Sequence, residues 1–310
     1  MDAQAAGEHW ALVLAGGDGR RLQALTQAIS GAPIPKQYCR ILGDRSLLES
    51  TLLRTSRFAP RERTLVVVNR DHLEVAGDQL SGLPTQSLLI QPQNCDTGPG
   101  LLFSLLHLAQ RHARGTVAVF PSDHYIGDDQ AFVDYVRRGA QIVAAQGEKI
   151  VLLGIPPDRC DPGFGYIVPG EPLRAEPHFG AAFHVAGFQE KPTPGLARRL
   201  VSRGGLWNSF VMVFRIERML DLLSRVAPAR FEEMCALPAD PLAAAAHYDQ
   251  LNPWNFSTEF LGRIPEHLLV LRVDNVHWSD WGTQQAIERT LRLLKKRPPW
   301  RPRRVARVAA

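Results

Sequence analysis

The segment Leu14-Ala15-Gly16-Gly17-Asp18-Gly19-Arg20-Arg21-Leu22 carries the first chemistry that the sequence offers. Three glycines within four positions let a backbone turn sharply and keep side chains out of the way. The turn follows an apolar run, Trp10–Leu14, and precedes a helical pattern. Successive N–H groups can then face an anion, with the positive end of a helix behind them. Arg21 adds a permanent charge whose five donors suit phosphate oxygens. The chemistry predicted is a cradle for a polyphosphate, although an ordinary tight strand–helix turn would use the same glycines. Two other phosphate loops are excluded. No Gly-Lys-Ser/Thr ends the segment, as a Walker A loop requires. Leu22 stands where a dinucleotide fingerprint needs a small residue.

Further segments follow in order: Pro35-Lys36-Gln37, Gln91-Pro92-Gln93-Asn94-Cys95-Asp96-Thr97-Gly98-Pro99, and Pro121-Ser122-Asp123-His124. Then come Gly163-Phe164-Gly165-Tyr166-Ile167, Glu190-Lys191-Pro192, Trp207-Asn208-Ser209 and Trp278-Ser279-Asp280-Trp281-Gly282-Thr283. With the glycine turn, this series resembles the sugar-nucleotide pyrophosphorylases, and most closely the bacterial mannose-1-phosphate guanylyltransferases, over about residues 10 to 294.

The resemblance implies a reaction in which a sugar 1-phosphate attacks the α-phosphorus of a nucleoside triphosphate, giving an NDP-sugar and pyrophosphate with no covalent enzyme intermediate. It implies GTP and mannose 1-phosphate as the favoured substrates and Mg²⁺ as the cofactor. By family position Arg21, Lys36, Asp123 and Lys191 are catalytic. Arg21 and Lys36 neutralise the triphosphate and the departing pyrophosphate, and Lys191 binds the phosphate of the sugar. Leu14, Gly16, Gly17, Gly19, Gln91 and Thr97 line the nucleotide, while Gly165, Tyr166, Glu190 and Asn208 line the sugar. Asp123 and Asp280 are the magnesium ligands, a donor set that suits a hard cation retaining water. Asp280 could also cap the following helix, with Thr283 close by. Trp207 and Trp278 read as packing residues, and His107 and His112 as surface or helix-face residues.

Several positions depart from the family pattern. Gln91 stands where an acid is usual, and Cys95 where a basic residue is usual. Phe210 replaces the glycine that follows Trp-Asn-Ser, and Glu259 replaces an Asp. The phosphate and metal positions are intact while the recognition positions have drifted, which favours retained chemistry with altered specificity. The alternatives are the same chemistry with another base or sugar, such as glucose or heptose 1-phosphate, and a catalytically silent NDP-sugar-binding regulator.

The elements that must position these residues are apolar runs at Trp10–Leu14, Thr64–Val68, Ser87–Ile90 and Thr116–Phe120, with helical patterns at Leu101–Ala109 and Phe132–Val143 between and after them. Strands alternating with helices predict a parallel sheet covered on both faces. Lys149–Gly154 is a further strand, the Pro/Gly-rich stretch Pro156–Pro177 breaks regular structure, and strands return at Phe183–Phe188 and Val211–Phe214. Helices are expected near Glu217–Val226 and Thr283–Leu294. The second half reads as mixed α+β laid against the first sheet. The fold class expected is α/β, a Rossmann-like three-layer αβα with a mixed, mainly parallel sheet, and the resemblance implies the nucleotide-diphospho-sugar transferase fold. One domain over residues 1–294 is expected, followed by a basic, disordered tail at 295–310.

Composition bounds the remainder. The 310 residues are 45% hydrophobic and 22% charged, as in a globular protein. No apolar run reaches the ~18 residues of a membrane span, and the first residues lack a basic, apolar leader. Cys39, Cys95, Cys160 and Cys235 have neither zinc nor disulfide spacing, so free thiols in a cytoplasmic protein are expected. The net charge of +5 comes from the tail: seven Lys and Arg follow Leu294 with no acid among them, leaving a slightly acidic body. Nucleic acid is therefore no expected partner for the body. A homodimer is allowed, and the oligomeric state is not read from the sequence.

Overall fold

The computed structural model describes residues 8–111, 115–173, 181–238 and 241–300. Its centre is one nine-stranded sheet. The strands are β1 (His9–Leu14), β2 (Thr64–Asn69), β3 (Leu88–Gln91), β4 (Thr116–Pro121), β5 (Ile150–Ile155), β6 (Tyr166–Pro172), β7 (Ala182–Gln189), β8 (Leu206–Arg215) and β9 (Leu268–Arg272). Their order is β3-β2-β1-β4-β8-β5-β9-β7-β6.

Side chains alternate across each strand and fill two apolar layers. Ala11 and Val13 of β1 face one layer with Val66, Val68, Ala118 and Phe120. Leu12, Leu65, Val67, Val117 and Val119 face the other. The helix Asp129–Ala145 covers the first layer through Phe132, Val133 and Val136. Thr97–Gln110 and Ile216–Val226 cover the second through Leu101, Leu105, Met219 and Leu222. This is the three-layer αβα arrangement expected of parallel strands joined by amphipathic helices.

The first four strands pair in parallel. The chain moves outward from β1 to β2 and β3, then returns to the other side of β1 for β4. The strand order therefore reverses between β1 and β4, and open α/β sheets bind ligands beyond the carboxyl ends of strands at such a point. The second half does not lie against this sheet, as the sequence suggested; it extends it. β8 pairs antiparallel with both β4 and β5. The mainly parallel character thus holds for the nucleotide half, while β7 pairs antiparallel with both β6 and β9. The Pro/Gly-rich stretch also needs correction, because it contains β6. Tyr166 and Ile167 enter the sheet as buried residues between β7 and β8, and burial there overrides the weak strand propensity of the prolines that follow.

A third apolar cluster joins the two ends of the chain. Leu22, Leu25, Cys39, Ile41 and Leu47 pack against Trp281, Ile287 and Leu291, with Trp300 at its margin. Thr283, not Asp280, caps the helix Gln284–Leu293, its hydroxyl accepting from Ala286 N. The basic segment begins bonded to the body: Lys296 N donates to Leu291 O, and its Nζ to Leu42 O. The rest of that tail, 301–310, lies outside the described residues, as does His112.

His9 stacks on Phe58, with ring centroids 4.9 Å apart and planes 5° from parallel. Burial, aided by Arg63 and Arg137, lowers its pKa from 6.5. Burial likewise lowers those of His72 and His107. In each case the folded value lies below the unfolded one. The stability contribution is therefore complete above pH 6.5 and is lost as pH falls through the folded value. The melting temperature should drop between about pH 7 and 5, and His9→Asn should make that drop shallower. An unchanged pH dependence in His9→Asn would remove His9 from the cause.

Candidate active site

The glycine turn is shaped by side chains that hold its carbonyls back. Ala15 O accepts from Tyr38 Oη at 2.7 Å and from Gln37 Nε2 at 3.1 Å. Gly16 O accepts from Asn69 Nδ2 at 2.6 Å, and Gly17 O from Gln37 Nε2 at 2.7 Å. In a planar trans peptide the following N–H points the opposite way. The N–H groups of Gly16, Gly17 and Asp18 are thereby turned outward, and none has a protein acceptor among the described residues. The end of β1 thus presents three successive amides without a protein acceptor among the described residues, the elements of which an anion nest is made.

The glycines serve different ends. Gly19 adopts φ 62°, and a Cβ there would meet Pro35 Cα and Lys36 N at 3.1 Å. A Cβ on Gly16 would collide with Gln91 Nε2, whereas one on Gly17 would meet nothing within 4 Å and stand in the open cradle.

This turn forms one wall of a cleft of about 530 Å³ at the switch point. The structure brings Leu14, Gly16, Gly17, Arg21, Lys36, Gln91, Thr97, Asp123, Glu190, Lys191 and Asp280 to its lining. Gly19 lines a smaller adjoining hollow shared with Arg21, Lys36 and Asp123. Three more site residues named from the sequence line neither space. Tyr166 is fully buried, its hydroxyl bonded to the backbone of Asp161. Gly165 sits behind Glu190, whose Oε2 occupies the place of a Cβ. Asn208 receives Phe210 N on its Oδ1. Trp207 and Trp278 pack as expected, in an aromatic group with Phe164.

Lys36 is the hub of the charged end. It is 7% exposed, and its Nζ lies 3.2 Å from Asp123 Oδ2. The same ammonium donates to Asp280 O and, at 3.1 Å, to Trp281 O. Burial raises the pKa of Asp123, but charge and hydrogen bonding, from Lys36 above all, outweigh it and hold the carboxyl below the usual range. His124 is itself kept neutral by burial. Its Nδ1 accepts from Trp278 Nε1 at 3.3 Å, leaving the proton on Nε2, 3.6 Å from Asp123 Oδ1. Asp123 is thus an oriented anion. The Asp280 carboxylate has no protein donor among the described residues. Glu190 has its pKa raised by burial, with Lys191, at 3.6 Å, opposing.

Among the described residues no three His, Cys, Asp or Glu side chains cluster to hold a metal. Two carboxylates in one cleft do fit a hard divalent ion that takes its other ligands from water and phosphate.

The departures noted in the sequence fall into two groups. Gln91 and Phe210 line the cleft. Gln91 Nε2 donates to Asn69 Oδ1, while its buried Oε1 has no partner. Cys95 instead lies in the second apolar layer, and Glu259 pairs with Arg230 at 3.6 Å. The sequence reading gave no role to Gln37, Tyr38 or Asn69. The signal available for Asn69 was its place at the carboxyl end of β2, beside Gln91 at the end of β3.

A family model described as Nucleotidyl transferase matches residues 10–297. Mannose-1-phosphate guanylyltransferase 2 of Escherichia coli O157:H7 is 30% identical over 292 residues, 89% of this chain and 58% of the relative. Mannose-1-phosphate guanylyltransferase of Escherichia coli K12 is 33% identical over 223 residues, 70% of this chain and 45% of the relative. The chain thus spans about half the length of the curated relatives it matches. A Thermus thermophilus structure described as mannose-1-phosphate geranyltransferase superposes with a TM-score of 0.79 at 30% identity, covering 92% of this chain and 79% of that one.

Gly19→Ala should destabilise the fold by about 1–2 kcal/mol, because a left-handed residue gains a Cβ. Gly17→Ala should leave the denaturation midpoint unchanged yet weaken nucleoside triphosphate binding. Equal midpoints for both variants would contradict the geometry of the turn.

Proposed function

The chain belongs to the nucleotidyl transferase family, and from that membership we propose that it joins a nucleoside triphosphate to a sugar 1-phosphate. A phosphate oxygen of the sugar attacks the α-phosphorus, the bond to the β-phosphate oxygen breaks, and pyrophosphate leaves with the charge. The observation that carries this reading is the run of three unpaired amides: Gly16 and Gly17 line the same cleft as Lys36, Asp123 and Asp280, and Asp18 lines the adjoining hollow.

Each residue answers one part of the electrostatic problem. The amides of Gly16, Gly17 and Asp18 and the exposed guanidinium of Arg21 receive the triphosphate. Lys36, fixed by three oxygen partners, presents an ammonium that need not reorganise as charge develops on the leaving group. Lys191, 64% exposed beside Glu190, takes the phosphate of the incoming sugar, and Glu190 accepts its hydroxyls. Bringing two anions together is the main barrier in such a transfer, and preorganised cations on both sides lower it. Asp123 and Asp280 would hold Mg²⁺, which would supply positive charge to offset that of the phosphates.

GTP and mannose 1-phosphate are the favoured pair, since the curated relatives compared above carry the name mannose-1-phosphate guanylyltransferase. The reaction needs no membrane, and no helix among the described residues is long and apolar enough to cross one.

A matrix of the four nucleoside triphosphates against sugar 1-phosphates, with Mg²⁺, should release pyrophosphate from at least one pair. Asp123→Asn and Asp280→Asn should each lower that rate by about a hundredfold or more with little change in melting temperature. Ligand-induced stabilisation without pyrophosphate would identify a silent binder instead, and unchanged rates in both variants would remove the metal assignment.

A further inference from the structure

Phe210 occupies a position where a bulky side chain is costly. Its φ is 58°, in the left-handed region that favours glycine. The backbone there is fixed without help from its ring. β8 bulges against β5: Leu152 pairs with Met212 and Gly154 with Asn208, so β8 spends four residues where β5 spends two. Ser209 Oγ fastens the bulge by donating to Leu153 O at 2.6 Å and accepting from Val211 N at 3.2 Å. Asn208 Oδ1 accepts from Phe210 N at 3.0 Å. A glycine would satisfy all of these bonds and relieve the backbone.

The bulge directs the Phe210 side chain to the cleft, as bulges beside binding sites do. The ring is only partly buried and meets Phe256 edge-on, with centroids 6.2 Å apart. The same lining includes Glu190, Lys191, Asn255 and Ser257. Charged and polar side chains thus share one lining with an aromatic ring, which gives that lining an aromatic side. A hydroxyl pressed against the aromatic side would give up its water for no partner, whereas a C–H or methyl edge would gain by the same contact.

We propose that Phe210 is a specificity residue whose ring, set by the left-handed bulge of β8, selects a deoxyhexose 1-phosphate over the parent hexose 1-phosphate. The inference rests on the nucleotidyl-transfer reading and names the substrate class of its sugar subsite.

The test uses the full chain with Mg²⁺ and the triphosphate that turns over best. Pyrophosphate release gives kcat/KM for mannose and glucose 1-phosphates and for their 2-, 3-, 4- and 6-deoxy counterparts. At least one deoxy sugar should exceed its parent by about tenfold. Phe210→Gly and Phe210→Asn, both compatible with left-handed backbone, should bring that ratio close to one without lowering the melting temperature. A preference for every parent sugar in the unaltered protein would overturn the inference alone. So would the same ratio in both variants, above all with a lowered melting temperature, which marks a packing residue. Turnover absent for every pair would overturn the nucleotidyl-transfer reading, and the inference with it.

Discussion

The ammonium of Lys36 is the constraint on which the charged end of the cleft depends. It binds the carboxylate of Asp123, at the end of β4, and the carbonyls of Asp280 and Trp281, in the loop before the last helix. A cation this buried is tolerated only because three oxygens replace its water. The loop it holds is otherwise costly to form, since Asn275, His277 and Trp281 all have positive φ. Tyr125 shares the work: its backbone pairs with Ser279, and its ring stacks on Trp281 with centroids 5.3 Å apart. Two segments far apart in sequence thus become one rigid wall carrying two carboxylates.

The opposite wall follows a similar principle with neutral groups. Gln37, Tyr38 and Asn69 take up the carbonyls of the glycine turn, and the amides are left without a protein acceptor among the described residues. Gln37 and Tyr38 adjoin Lys36 in the chain. One short segment, Lys36–Tyr38, therefore sets both the amide nest and the cation beside it. Little reorganisation remains for the moment when negative charge arrives, which is the condition under which fixed dipoles and charges are most effective.

Much of this was legible in the sequence. The run Trp10–Leu14 followed by three glycines located the end of β1 and the turn that lines the cleft, because a buried strand that runs straight into glycines must turn there. Asp123 at the end of an apolar strand located the switch point. What stayed hidden depends on contacts between distant residues. Nothing local to Lys36 reveals that its partners lie 244 and 245 residues away. Nothing in β8 shows that it inserts between β4 and β5 and makes the sheet continuous. Tyr166 lay in a motif that suggested the sugar site, yet its ring is core and its hydroxyl is spent on Asp161. Phe210 was visible as an oddity, but its left-handed backbone appears only once the bulge is seen.

The most direct measurement is the backbone amide spectrum of the protein during titration with a nucleoside triphosphate and Mg²⁺. The account predicts that Gly16, Gly17 and Asp18 shift strongly downfield together, as free amides acquire phosphate oxygens, and that these shifts weaken sharply in Lys36→Met. Saturable binding that leaves those three amides unmoved would contradict it.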